Sequence, residues 1–127
     1  MRFTFSAAGA SGIRRPVIDV RFGGLDPKFP SLVDSGALGI RAGADIAEIL
    51  GLDLSTGEVR HHDIGGARRL GWTMPDVEMR VGRWSWTAPV TFFEDFNHQP
   101  VLGIEGFFDR FAVTIDAGRG ETRIVRL

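Results

Sequence analysis

The 127-residue sequence contains no cysteine, which excludes thiol catalysis, disulfide frameworks and thiolate metal sites. It also lacks a charge excess, because 15 basic residues stand against 16 acidic ones and the formal net charge is -1. Such a balance produces no field that would attract nucleic acid or an anionic membrane. No apolar run approaches the roughly 18 residues that a membrane span requires, and the first residues lack the apolar region of a secretory signal. We therefore expect a cytoplasmic protein with no membrane segment and no nucleic-acid partner.

The length and composition are those of one soluble globular domain. Apolar residues make up 43% of the chain and charged residues 24%, both within the ordinary range. A chain of this size buries roughly two-thirds of its unfolded surface on folding, which is enough for a core without metal or disulfide. We therefore expect a single domain over residues 1–127.

Glycine and proline are spread along the chain and separate short apolar stretches, which is typical of a mainly β domain. The predicted strands are 16–22, 29–33, 59–62, 68–74, 77–81, 84–86, 90–92, 112–115 and 122–125. The spacing of Ala42, Ile46 and Ile49 predicts a helix over residues 41–50, with Gly51 as its C-terminal cap. A second short helix is predicted over residues 105–111.

The most informative segment is Leu32-Val33-Asp34-Ser35-Gly36-Ala37. It places a carboxylate directly after an apolar strand, at a tight turn where backbone N–H groups can reach its oxygens. Such hydrogen bonds would offset part of the cost of burying the charge. Taken alone, however, Asp-Ser-Gly is also common in surface turns.

In its wider context, this segment resembles the retropepsin-like aspartic protease family across nearly the whole chain. The matching parts are Leu32–Ala37, the Leu50-Gly51-Leu52 run after the helix, Ile64-Gly65-Gly66, and Val101-Leu102-Gly103. Their order and spacing both agree with the family pattern. The resemblance implies a mainly β fold, namely a single-lobe closed barrel with one or two short helices.

The resemblance also implies roles for individual residues. Asp34 corresponds to the catalytic aspartate, Ser35 to the hydroxyl that braces the paired loops, and Gly36 to the residue that admits substrate. The implied flap tip, which would bind substrate, consists of Ile64, Gly65 and Gly66. The implied supporting loop contains Leu102 and Gly103.

Peptide hydrolysis by this chemistry needs a second carboxyl group beside Asp34, because water activation needs a base and the carbonyl oxygen needs an acid. The segment Asp116-Ala117-Gly118 superficially repeats the motif, but a two-lobed enzyme needs two cores and this chain supplies one. We therefore interpret Asp116 as a residue of the turn between the last two strands. A second copy of the chain, related by a two-fold axis, is the expected source of the partner carboxylate.

Other candidate sites are weaker. His61 and His62 are adjacent, so on a strand they face opposite sides and cannot chelate one ion together. The tryptophans and phenylalanines could line an apolar substrate groove, although such residues more often form a core or a dimer contact. No nucleophile elbow, phosphate-binding loop or dinucleotide fingerprint occurs. We expect neither a metal nor a cofactor.

The sequence thus predicts an aspartic endopeptidase that acts as a homodimer on a peptide or protein substrate. One alternative is a non-catalytic dimerisation or peptide-binding module with the same barrel. It rests on the Leu38-Gly39-Ile40-Arg41 run after the motif and on the polar residues before the flap tip. Another alternative is a monomeric β domain in which Asp34 is only an exposed turn residue.

Overall fold

The computed structural model describes residues 1–7, 12–64 and 66–127. Strands and isolated bridges account for 55% of the described residues. The strands are β1 (Arg2–Thr4), β2 (Val17–Phe22), β3 (Phe29–Val33), β4 (Ile40–Gly43), β5 (Glu58–Ile64), β6 (Ala67–Val81), β7 (Trp84–Phe93), β8 (Val101–Leu102), β9 (Phe111–Asp116) and β10 (Glu121–Arg126). One α-helix, α1 (Ala44–Ile49), and one 3-10 helix (Leu54–Thr56) complete the regular structure of the described residues.

Six strands form a closed barrel in the order β2, β3, β8, β4, β7 and β6, and pairing of β2 with β6 closes it. Within the described residues, strand β5 pairs with β6 alone and forms a hairpin with it. A second sheet has the order β1, β10, β9. The predicted single-lobe closed barrel is therefore confirmed.

The core follows from the alternation of apolar residues along the strands. In β2, Ile18, Val20 and Phe22 are at most 1% exposed, because every second side chain of a strand faces the same side. Trp86 is also buried, and its indole N–H donates a hydrogen bond to the Gly106 carbonyl over 2.8 Å. Four further aromatic side chains, Phe92, Phe93, Phe107 and Phe111, are buried as well. The interpretation of these aromatic residues as core is thus confirmed.

The predicted helix over residues 41–50 begins too early. Residues 40–43 form β4, which pairs in parallel with β7, and Ala42 is fully buried there. The spacing of Ala42 and Ile46 fits a helix only because both side chains face the core. The predicted end of the helix is confirmed, since Gly51 adopts a positive φ of 72°, a conformation that glycine adopts without strain.

Two further differences concern short elements. The second helix predicted over residues 105–111 is wrong: residues 106–110 form successive turns, Phe111 begins β9, and the Phe108 N–H donates to the Gly103 carbonyl. Strand β1 was not predicted, because three residues carry too little pattern and the strand depends on pairing with β10. Among the described residues, no helix has the length and apolar character needed to cross a membrane.

Candidate active site

Asp34 lies immediately after β3, at one end of the barrel. Its backbone N–H donates to the Leu102 carbonyl over 3.0 Å, just beyond the parallel pairing of β3 with β8. The residue is half-buried. It is therefore more enclosed than the exposed turn residue that a monomeric β domain would carry.

The turn after Asp34 fixes the position of its carboxylate. Asp34 Oδ1 accepts a hydrogen bond from the Gly36 N–H over 2.8 Å, and the Asp34 carbonyl accepts one from the Ala37 N–H over 3.2 Å. A Cβ at Gly36 would lie 3.1 Å from Oδ1, so glycine keeps this approach open. Ser35 is exposed, and within the described part of the chain its hydroxyl has no hydrogen-bond partner. The predicted motif residues thus form one tight turn with an oriented carboxylate.

The apolar-apolar-glycine motif lies directly against this turn. A Cβ at Gly103 would lie 2.6 Å from the Ala37 carbonyl oxygen and 2.8 Å from the Gly39 nitrogen. Both distances are shorter than real Cβ contacts, so a side chain at this position has no room. Beyond Gly103, the Ile104 N–H donates to the Ala37 carbonyl over 2.9 Å. The two motifs are therefore adjacent in space.

The predicted flap is a hairpin formed by β5 and β6. Ile64 pairs with Ala67, and Gly66 before Ala67 has a positive φ of 80°. Gly65 lies outside the described residues. Of the adjacent histidines, His61 is exposed, whereas His62 is half-buried with its ring edge-on to Phe93 at 5.3 Å.

A cavity of about 710 Å³ runs between the turn after Asp34 and the base of the hairpin. Leu38, Gly39 and Ile40 form one wall, and Asp34 itself is not among the lining residues. The other lining residues are Thr56, Gly57, Glu58, Arg60, His62, Thr73, Pro75, Pro89, Thr91 and Glu105. None of the lining residues that the structure describes is Phe or Trp, so the idea of an aromatic groove does not apply to this cavity.

Polar and charged side chains line part of the cavity beside its apolar surface. Glu58 and Arg60 form an ion pair over 3.0 Å, and both side chains are mostly exposed. The Thr73 and Thr91 hydroxyls are hydrogen-bonded over 2.7 Å. Glu105 is exposed and forms no ion pair within the described ranges. Sequence reasoning missed these residues, although the alternation of residues 58, 60 and 62 on one face of a strand was a usable signal.

The remaining sequence hypotheses concern other carboxylates and metals. The Asp116 Oδ1 accepts a hydrogen bond from the Arg119 N–H over 3.0 Å, at the turn between β9 and β10. Asp116 itself is the last residue of β9, so it borders the predicted turn, and its carboxylate accepts a hydrogen bond from within that turn. Within the described ranges, no group of three or more His, Asp or Glu side chains is arranged to hold a metal ion.

The fold of this chain is similar to that of retropepsin-like aspartic protease domains. A crystal structure of a retropepsin-like aspartic protease from Rickettsia conorii is similar over 98% of this chain and 98% of that one, with a TM-score of 0.69 and 19% identity. The retroviral protease-like domain of Ddi1 from Leishmania major is similar over 89% of this chain and 90% of that one, with a TM-score of 0.67 and 17% identity. No family model and no curated protein matches the sequence. The resemblance drawn from the motifs is therefore confirmed as a likeness of fold.

Proposed function

We propose that this protein is an aspartic endopeptidase whose catalytic dyad consists of Asp34 from each of two identical chains. The observation that carries the proposal is the half-buried Asp34 carboxylate, held by the Gly36 N–H in a retropepsin-like barrel. Two carboxyl groups about 3 Å apart cannot both ionise readily, so they share one proton. The ionised group then removes a proton from water while the protonated group donates to the substrate carbonyl oxygen. The water oxygen bonds to the carbonyl carbon and forms a tetrahedral species with two hydroxyl groups. As its C–N bond breaks, the carboxyl group that took the water proton gives it to the amine nitrogen, and the other carboxylate takes back a proton from one hydroxyl.

Exposed apolar side chains beside the Asp34 turn support the pairing of two chains. Leu38 is 75% exposed and Ile104 is 45% exposed. They lie close together, because the backbone N–H groups of Ile104 and Glu105 donate to the carbonyls of Ala37 and Leu38. Burial of such side chains between two copies is favourable. In this arrangement Ser35, whose hydroxyl is exposed, braces the two turns.

The hairpin supports binding of an extended peptide. Strand β5 is the last strand of its sheet, so one edge of its backbone is not paired within that sheet. An extended substrate segment can add to such an edge through backbone hydrogen bonds. The cavity beside the hairpin would then receive one substrate side chain, and Glu58, Arg60 and Glu105 in its lining would be available to a polar or charged one.

The test is peptide cleavage by the wild-type chain and by Asp34→Asn across acidic to neutral pH. Cleavage is expected to peak at acid pH, to respond to a transition-state mimic of the statine type, and to disappear in Asp34→Asn. The amide oxygen of asparagine can still accept the Gly36 N–H bond, so this variant should fold normally. Asp26→Asn is a matched control, because Asp26 is an exposed turn residue. Equal activity in wild type and Asp34→Asn would rule out the proposed mechanism.

Mixing the two proteins tests the dimer separately. Excess Asp34→Asn chains would capture wild-type chains in pairs that contain a single catalytic carboxyl group. The activity of a fixed amount of wild type should then fall as Asp34→Asn is added, whereas added Asp26→Asn should raise it. Dimers by solution mass but no cleavage of any peptide would instead favour the non-catalytic binding module.

A further inference from the structure

The seam that closes the barrel carries an unusual pairing of like charges. Arg21 of β2 lies directly opposite Arg80 of β6 in the antiparallel register. Both side chains are on the outer face, because the residues next to them, Phe22 and Met79, are fully buried. Directly opposed like charges destabilise a pair of strands. The three ion pairs of the described residues involve neither arginine.

A separate cavity of about 210 Å³ lies at this seam. Its charged lining consists of Arg21, Lys28 and Arg80 together with one carboxylate, Asp19. Asp19 forms no ion pair within 4.0 Å in the described part of the chain. Three cations thus face one anion, and the lining carries a net positive charge. The remaining lining residues are Met1, Phe3 and Gly82.

Arg21 also has an unused donor. Its Nε is buried and has no hydrogen-bond partner among the described residues. A buried donor without an acceptor is unfavourable, and such atoms are few in native proteins. An oxyanion in the cavity would supply both the missing acceptor and the negative charge that the facing guanidinium groups lack.

We propose that this seam is a binding site for a phosphate-type oxyanion, held by Arg21, Arg80 and Lys28. Guanidinium groups match the geometry of phosphate oxygens through paired hydrogen bonds. The cavity is larger than a single oxyanion requires, and the apolar side chains of Met1 and Phe3 form part of its wall. The same site can therefore take free phosphate or the phosphoryl group of an organic phosphate. The proposal is independent of catalysis at Asp34.

The test measures the thermal unfolding midpoint of the full chain with increasing inorganic phosphate, at constant ionic strength maintained with chloride. A ligand that binds only the folded state raises this midpoint. Wild type should show a saturable rise, and Arg80→Gln should show none. Without phosphate, Arg80→Gln should be at least as stable as wild type, because the substitution removes the like-charge repulsion. If Arg80 had only a structural role, Arg80→Gln would be less stable than wild type in the absence of phosphate.

Arg68→Gln is the matched control, because Arg68 is an exposed arginine on the same strand and does not line the cavity. It should keep the full response to phosphate. Lys28→Gln provides a second variant, at a residue outside the strands. It should weaken the binding of inorganic phosphate, as measured by calorimetry. The same rise in wild type, Arg80→Gln and Arg68→Gln, or no rise in wild type, would overturn the proposal. Tighter binding of phenyl phosphate than of inorganic phosphate would identify the ligand of the site as an organic phosphate. Equal binding of the two would identify it as free phosphate.

Discussion

Replacement of Gly103 by alanine tests whether the two motifs form one packed unit. The added Cβ would lie within 2.8 Å of both the Ala37 carbonyl oxygen and the Gly39 nitrogen. Both are backbone atoms, so the contact cannot be relieved by rotation of a side chain. Overpacking of this kind costs about 1–3 kcal/mol. The chain beyond β8 would have to move away from the Asp34 turn, which lengthens the hydrogen bonds of Asp34 with Leu102 and of Ile104 with Ala37.

Each of these hydrogen bonds contributes about 1 kcal/mol, which brings the expected loss of unfolding free energy to about 3–5 kcal/mol. For a chain of this length the midpoint of thermal unfolding should fall by about 10–20 °C. Gly24→Ala is the control, since a Cβ at Gly24 meets nothing within 4 Å. Calorimetry or circular dichroism of both variants measures the difference. If Gly103→Ala unfolded within about 2 °C of Gly24→Ala, the packing argument would be wrong.

Three other predictions concern separate parts of the molecule. Trp86→Phe should lower the free energy of unfolding, measured by chemical denaturation, by about 2–3 kcal/mol, because it removes buried volume and the hydrogen bond to the Gly106 carbonyl. A loss below about 0.5 kcal/mol would contradict the importance of this buried contact. If the proposed protease function holds, Glu105→Lys should change the preference between two peptides that differ only in carrying an acidic or a basic side chain. The ratio of kcat/KM for the acidic peptide to kcat/KM for the basic peptide should rise by about 5-fold. An unchanged ratio would exclude Glu105 from substrate selection. The Asp53 carboxylate accepts hydrogen bonds from the Ser55 hydroxyl and the Ser55 N–H. These bonds, the hydroxyl's first in importance, hold the Asp53 pKa below the ordinary 3.8. The stability from this contact is therefore present above pH 3.8 and is lost as the pH falls through the lower folded-state pKa; NMR titration of Ser55→Ala should show the Asp53 pKa rising, and no rise would refute the assigned cause.

The strands were predictable where one face of each strand is buried, because burial imposes an alternation that the sequence carries. Residues 29–33 were predicted with the bounds that the structure shows for β3. The start of α1 was not predictable from spacing, since Ala42 is buried both in the expected helix and in the observed strand. Strands β1 and β8 contain three and two residues. Pairing with strands distant in the sequence specifies them, and no local pattern does.

The sequence predicts the Asp34 turn of the candidate site better than it predicts the cavity beside it. The Asp34 turn follows from local chemistry, because Gly36 and Ala37 supply the N–H groups that bind its oxygens. The cavity beside it depends on how the hairpin lies against the barrel, and residue spacing does not reveal this. Glu105 illustrates the difference, since its place in the lining follows from a bridge with Gly39 that links segments far apart in sequence.

The structure also explains why two motifs that carry little information separately are informative together. Asp-Ser-Gly alone is compatible with many surface turns, and two apolar residues followed by glycine occur in many strands. Here the Leu102 carbonyl accepts the Asp34 N–H, and the absence of a side chain at Gly103 admits the Ala37 carbonyl. Each motif therefore fixes the geometry of the other. This arrangement leaves a half-buried carboxylate with Oδ1 held in place, which is the geometry on which the proposed protease function depends.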